Sequence, residues 1–239
     1  MLDTTHRPVD TGERIALRLN AMPLPTQLYA KIKQFVPIES NRVFWLNTHE
    51  FLPSKPVKGA QCRPLVAADI HKLSKIKDFG ISQQLADDFE TLGFVGIGIF
   101  VDKKLAGLSV FCTEAVPAHY NRTEERANGV DILLPPGTRA LIKAVILPPF
   151  RGQRLNSAVV RYAIDHFGKD TVNAIVTTAD IANDAYKSSV LGQGFEPVGK
   201  TTELTVLGKS VHRLPKPIDS NTGQQSDQVD CSISFRKAA

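Results

Sequence analysis

The sequence predicts a mixed α/β domain in which a central sheet is flanked by helices and two strands lie side by side in parallel. Three observations carry that prediction. Ala140–Leu147 is an apolar run closed by Pro148 and Pro149, and helix-periodic residues follow it from Gln153. Thr171–Thr178 then alternates through Val172, Ala174 and Val176, and a strand–helix–strand unit joins parallel neighbours by a right-handed crossover. Phe94–Val101 and Leu105–Cys112 flank the short turn Asp102-Lys-Lys104, a hairpin that adds antiparallel strands.

In chain order, residues 1–58 read as an N-terminal extension. Polar Met1–Arg14 predicts a flexible arm. Leu24–Phe35 has helical apolar spacing at Leu28, Ile32 and Phe35, and Asn41–Asn47 reads as a strand, either added at a sheet edge or part of a lid. Trp45, the single tryptophan, is expected in the core. A main domain over 59–214 opens with Gln61–Asp69 as a strand and Ile70–Ile76 as a helix, which Asp69 is expected to cap. Ile81–Leu92 is a second amphipathic helix stopped by Gly93, and Gly107 marks a close approach between strands.

Thr113–Thr138 is a long polar connection holding Glu114, His119, Tyr120, Glu124 and Glu125, and long connections in compact domains tend to carry function or disorder. After Thr171–Thr178 come a short helix, Asn183–Leu191, and closing strands at Phe195–Val198 and Glu203–Leu207. Residues 215–239 are rich in Ser, Gln, Asp and Asn and predict a disordered tail.

Composition narrows the function. The 239 residues are 42% apolar, enough for a sizeable core, and no apolar run nears the roughly 18–20 residues of a membrane span. A polar N-terminus reads as no signal peptide, so the expected location is cytoplasmic. Three cysteines without metal-ligand spacing fit a reducing compartment, and no metal site is expected. A net charge of +5 suits an anionic partner, but scattered basic residues without interleaved aromatics argue against nucleic acid.

The turn between Leu147 and the following helix carries the chemistry. A helix that begins straight after a strand presents unpaired N–H groups and a positive dipole end, which favour phosphate, and Arg151 and Arg154 add charge. Ile146-Leu-Pro-Pro-Phe-Arg-Gly152 resembles the acyl-CoA signature of the GNAT N-acyltransferases, and Asn183-Asp-Ala-Tyr…Gly194-Phe195 resembles their later one at the family's spacing. Arg154 and Asn156 stand where the family has glycines. Over residues of about 60–210, the resemblance implies an α/β (α+β) fold. Its sheet would be mixed and mostly antiparallel, with a splayed parallel pair and flanking helices. It also implies acetyl-CoA as acyl donor and an amine, small molecule or peptide, as acceptor. A homodimer remains open.

By the same resemblance, donor contacts fall on the backbone of Ala144, Val145 and Ile146, on Arg151, Gly152, Gln153, Arg154, Leu155, Asn156 and Ser157, and on Asn183. Acyl transfer also needs a polarised carbonyl, a neutral amine and a proton for the leaving thiolate. The family's tyrosine position falls on Val190, which has no proton to give; Tyr186 is one turn earlier on the same helical face. A frequent base position falls on Thr178, with Asp180, Glu114 and His119 as alternatives, and a water relay fits equally well. A second reading is a catalytically degenerate relative that senses CoA or binds protein.

Overall fold

The computed structural model describes residues 24–36, 38–51, 57–120, 130–206, 209–227 and 231–237. In chain order these form α1 (Leu24–Phe35), β1 (Ile38–Asn47), β2 (Ala60–Leu65), α2 (Ala67–Ser74), α3 (Gln83–Thr91), β3 (Val95–Val101), β4 (Lys104–Cys112), β5 (Ala115–Val116), β6 (Val130–Leu133) and β7 (Thr138–Ile146). There follow α4 (Leu155–Phe167), β8 (Ala174–Asp180), α5 (Asp184–Leu191), β9 (Glu196–Val206), β10 (Lys209–Arg213), β11 (Ile218–Asp219) and β12 (Ser232–Lys237).

Eight strands make the main sheet in the order β10-β9-β1-β8-β7-β4-β3-β2. Every neighbouring pair is antiparallel except β7 and β8. One face carries α2 and α3 through Ile70, Leu73, Leu85, Ala86 and Phe89. The other carries α4 through Leu155, Val159, Val160, Ala163 and Ile164. Burying the four larger of these last side chains stabilises α4 by roughly 1.5–3 kcal/mol each, ample to hold a helix of this length in place. A smaller sheet, β11-β12-β6-β5, packs Val116, Ile132, Ile218 and Ile233 into the first face.

Several expectations are corrected here. β1 is not an edge strand or a lid: it lies inside the sheet, between β8 and β9. Val43, Phe44, Trp45 and Leu46 are consecutive and all buried, the pattern of a strand covered on both faces. Leu28, Ile32 and Phe35 of α1 do share a face, but it is exposed, and the helix docks through Tyr29 and Lys33 instead. The connection 113–138 contains β5 and β6, too short for their Val116, Val130 and Ile132 to announce themselves. Within residues 215–239, where a polar tail was expected, Ile218 and Ile233 are fully buried. There Trp45 Nε1 donates to Ser220 O at 3.1 Å, and Gly223 (φ 70°) fits so closely on the indole that a Cβ would sit 2.6 Å from it. Asp69 is not the cap of α2; Val66 holds that position, and Asp69 accepts from its N–H at 3.4 Å. The expected arm, residues 1–14, lies outside the described residues.

Candidate active site

β7 and β8 pair only from Thr138↔Ala174 to Leu141↔Thr177. Beyond that point each follows a different neighbour: β7 stays with β4 as far as Gly107↔Ile146, and β8 stays with β1 as far as Asn41↔Asp180. The two parallel strands therefore part. The cause is local. Against β4 the register steps from Phe111↔Leu141 to Val110↔Lys143, so Ile142 is an extra residue in β7, and a bulge bends the strand that carries it. Gly107 then lets the end of β7 lie tight on β4, where a Cβ would come within 2.3 Å of Val145 O. Ala140 and Leu141 are buried while Ile142–Ile146 are only half-buried, since the far half of β7 has no ladder on its β8 side.

Past Ile146 the chain makes a tight turn, with Gly152 at φ 79° and Arg154 at φ 58°, ψ 26°. Helix α4 starts at Leu155, two residues later than its periodicity suggested. Ser157 and Ala158 N–H bond back to Arg154 O; the N–H groups of Gly152 through Asn156 have no partner among the described residues. Free donors at the positive end of a 13-residue helix favour an anion. Space above Gly152 is open, with no atom within 4 Å of where a Cβ would stand. Arg151–Arg154 are exposed, and Arg151 Nε donates to Ile146 O at 3.0 Å, folding a cation over the strand end. Arg154 adopts the left-handed conformation that a glycine takes without strain, so the turn forms at a cost of roughly 1–2 kcal/mol. Asn156 Nδ2 reaches Ser189 Oγ at 3.3 Å, tying the start of α4 to α5, and Ser157 is buried beneath the turn.

At the apex of the divergence stands a short polar chain. Thr177 Oγ1 donates to Leu141 O at 2.8 Å, and Tyr186 Oη lies 2.8 Å from Thr177 Oγ1. Thr177 spends its one proton on the carbonyl, so Tyr186 is the donor to Thr177. Burial pushes the Tyr186 hydroxyl up to about 12, which keeps it protonated at neutral pH. Asn183 Oδ1 caps α5 by accepting from Tyr186 N at 3.2 Å, and this cap sets the tyrosine's height above the sheet. Val190, the family's tyrosine position, is 1% exposed and packs in the core.

On the opposite face a narrow crevice reaches the same apex, lined by Val116, Tyr120, Ile132, Ile142, Thr177 and Thr178. His119 and Tyr120 stand at its rim with Asp88 of α3. Tyr120 Oη donates to Asp88 Oδ2 at 2.7 Å, and His119 Nε2 is 3.7 Å from the same oxygen. Asp180 is elsewhere engaged: Lys33 of α1 forms ion pairs with both Asp180 and Glu39, and Asp180 Oδ1 accepts from Ala182 N. Glu114 is exposed on the turn after β4.

No family model and no curated protein matches the sequence. Solved structures do align with it. A tandem GNAT protein from the clavulanic acid biosynthesis pathway is 18% identical over 67% of this chain and 50% of its own, with a TM-score of 0.45; this chain thus spans about half its length. A GCN5-related N-acetyltransferase from Kribbella flavida is 14% identical over 72% of this chain and 60% of its own, at 0.44. Ribosomal-protein-alanine N-acetyltransferase from Brucella melitensis is 15% identical over 54% and 86%, at 0.37. These overlaps are partial, and the fold itself is read from the strand order, the single parallel pair and the helix that joins it.

The fold is GNAT-like.

In that GNAT-like frame, Ala144–Ile146 and Gly152–Ser157 lie along one continuous edge, from the freed half of β7 to the first turn of α4. Tyr186 is brought to the apex and Thr178 to the crevice; His119 gathers with Asp88 and Tyr120, while Asp180 and Glu114 stand apart from both groups. Two residues of these groups escaped sequence reasoning. Asp88 lies on the helix that the periodicity did find, but only the fold brings it to residues 119–120. Thr177 could have been flagged as the last paired residue before the divergence, had the bulge at Ile142 been legible. Among the described residues no helix is long and apolar enough to cross a membrane.

Proposed function

We propose that this protein is an acyl-CoA-dependent N-acyltransferase that moves an acetyl group from acetyl-CoA to a primary amine by direct attack in a ternary complex. The observation that supports this most is the opening of β7 from β8 immediately before a helix whose first-turn N–H groups are free. In this reading Gly152–Ser157 hold the diphosphate with main-chain donors, and Arg151 and Arg154 add charge. The unladdered edge of Ala144–Ile146 holds the pantetheine as a strand would, which requires Arg151 to release Ile146 O. A main-chain N–H near Ile146 polarises the thioester carbonyl. Attack forms the C–N bond and breaks the C–S bond, and Tyr186 supplies the proton to the departing sulfur. Three unpaired cysteines, Cys62, Cys112 and Cys231, fit a reducing compartment, and the cytoplasm is the proposed location.

A second reading, a CoA-binding module without turnover, draws on the buried Val190 and on a Tyr186 proton already committed to Thr177. Thermal denaturation with acetyl-CoA, followed by thiol release on offering an amine panel, tests both. Ligand at about a hundred times its Kd should stabilise the fold by roughly 2.7 kcal/mol. Absent stabilisation overturns both readings, and stabilisation without thiol release leaves only the second.

A further inference from the structure

We propose that Lys33 of α1 is a positioning residue for Tyr186, so that a helix outside the GNAT-like stretch sets where the proton donor stands; this rests on the transferase reading above. Tyr186 rides on α5, and the chain passes from β8 to α5 through Ile181, Ala182 and Asn183 alone. Each of the three is fixed by its main-chain N–H. Ile181 N donates to Ser40 O at 3.0 Å, Ala182 N to Asp180 Oδ1 at 2.7 Å and Asn183 N to Asp180 O at 2.9 Å. Asn183 Oδ1 in turn accepts from Tyr186 N, so whatever holds this connection holds the tyrosine.

Two of these anchors lead back to α1. Lys33 Nζ donates to Asp180 Oδ2 and, at 2.9 Å, to Glu39 Oε2, so the carboxylate that takes Ala182 N on one oxygen is aimed by a lysine on the other. Tyr29, one helical turn before Lys33, accepts from Ser40 N at 2.8 Å, and Ser40 O is the acceptor of Ile181 N. Both lines start on one face of α1 and end on the connection. The three charged side chains are half-shielded from water, where charge-assisted bonds are stronger than on an open surface. Burial weighs against the Lys33 charge, yet its bonds to Asp180 and Glu39 hold its pKa above the ordinary lysine value. Lys187 also grips the connection, at Ile181 O and 2.6 Å, but it belongs to α5 and moves with it. Without Lys33 the Asp180 and Glu39 carboxylates lose their shared cation, and Asp180 turns toward water and releases Ala182 N. A reacting group misplaced by about 1 Å costs on the order of a hundredfold in rate, so the loss falls on turnover.

The test is made first in isotope-labelled full-length protein without ligand. Lys33→Gln should speed amide exchange at Ala182 and Tyr186 about tenfold or more and shift the Tyr186 ring resonance, with β3 and β4 unmoved, and Lys33→Arg should restore both. Lys33→Met, which keeps the packing of the stem, is the second variant, with the same signals expected. Turnover is then read as thiol release from acetyl-CoA with 1,3-diaminopropane, glucosamine and a lysyl peptide as acceptors. Lys33→Gln should lower kcat about tenfold while KM for acetyl-CoA changes less, and should cost nothing further in a Tyr186→Phe background. Exchange and a Tyr186 resonance untouched by the change, or an equal loss of kcat with and without the Tyr186 hydroxyl, overturn the proposal and leave the transferase reading standing. Tyr186 signals that move as expected in a protein that releases no thiol with any of these amines count against the transferase reading and leave the tie to α1 standing.

Discussion

Thr177→Val is the most informative single change at the apex. Valine keeps the shape of a residue only 3% exposed but removes the hydroxyl that receives Tyr186 and donates to Leu141 O. Leu141 O loses its side-chain partner just where the parallel ladder ends, and the Tyr186 hydroxyl is left buried without an acceptor. Two hydrogen bonds at a net of about 0.5–1.5 kcal/mol each, plus about 1–3 kcal/mol for a buried donor left unmet, predict a loss of about 2–6 kcal/mol. Tyr186→Phe removes one bond and leaves no orphan donor, so it should cost only about 1 kcal/mol beyond packing. In urea unfolding the double variant should therefore be at least 1 kcal/mol better than the sum of the singles. Additive losses, or a Thr177→Val cost below 0.5 kcal/mol on the same order-of-magnitude scale, would refute the relay.

Tyr186 also predicts a pH effect. Its folded pKa of about 12 lies above the ordinary tyrosine value of 10.0, so the native state keeps a proton that the unfolded chain gives up. That stability is complete below pH 10 and is lost as pH rises through about 12, so Tyr186→Phe should flatten unfolding free energy against pH in that window. Arg154→Gly should raise stability by about 0.5–1 kcal/mol, the left-handed strain relieved less the extra chain entropy, read as a denaturation midpoint. Gly107→Ala should destabilise by at least 1–3 kcal/mol, on the order of an overpacked core, because its Cβ meets backbone at Val145 rather than a movable side chain; unchanged thermal unfolding would contradict the close approach. Arg151→Ala should weaken acetyl-CoA binding in calorimetry while leaving the unfolding midpoint in place.

Much of the scaffold was legible because its elements are long and periodic. Ala140–Leu147, the hairpin at Asp102–Lys104 and the helix around Val159 each obey one pattern over a sustained run, and each is found within a few residues of its predicted place. Trp45 went to the core as expected, at 5% exposure, and Gly107 makes its close approach. What escaped is non-local. Nothing in Asn41–Asn47 says that it enters the sheet between β8 and β9, since its partners lie more than a hundred residues away. β5 and β11 have two residues each, too few for alternation to register, and Ile218 and Ile233 are isolated apolar residues in a polar background. The bulge at Ile142 is a property of the pairing with β4, not of the β7 sequence. The ion pair of Asp180 escaped for the same reason: its partner Lys33 sits on a helix that the resemblance never covered.

The central claim is that the edge running from Ala144 to Ser157 takes an acyl-CoA. Amide resonances followed during an acetyl-CoA titration test it most directly. Saturable shifts should gather at Gly152–Ser157 and along Ala144–Ile146, with β2 and β10 nearly unmoved. Unshifted resonances at Gly152–Ser157 under saturating ligand, or shifts that gather on another face, would contradict it.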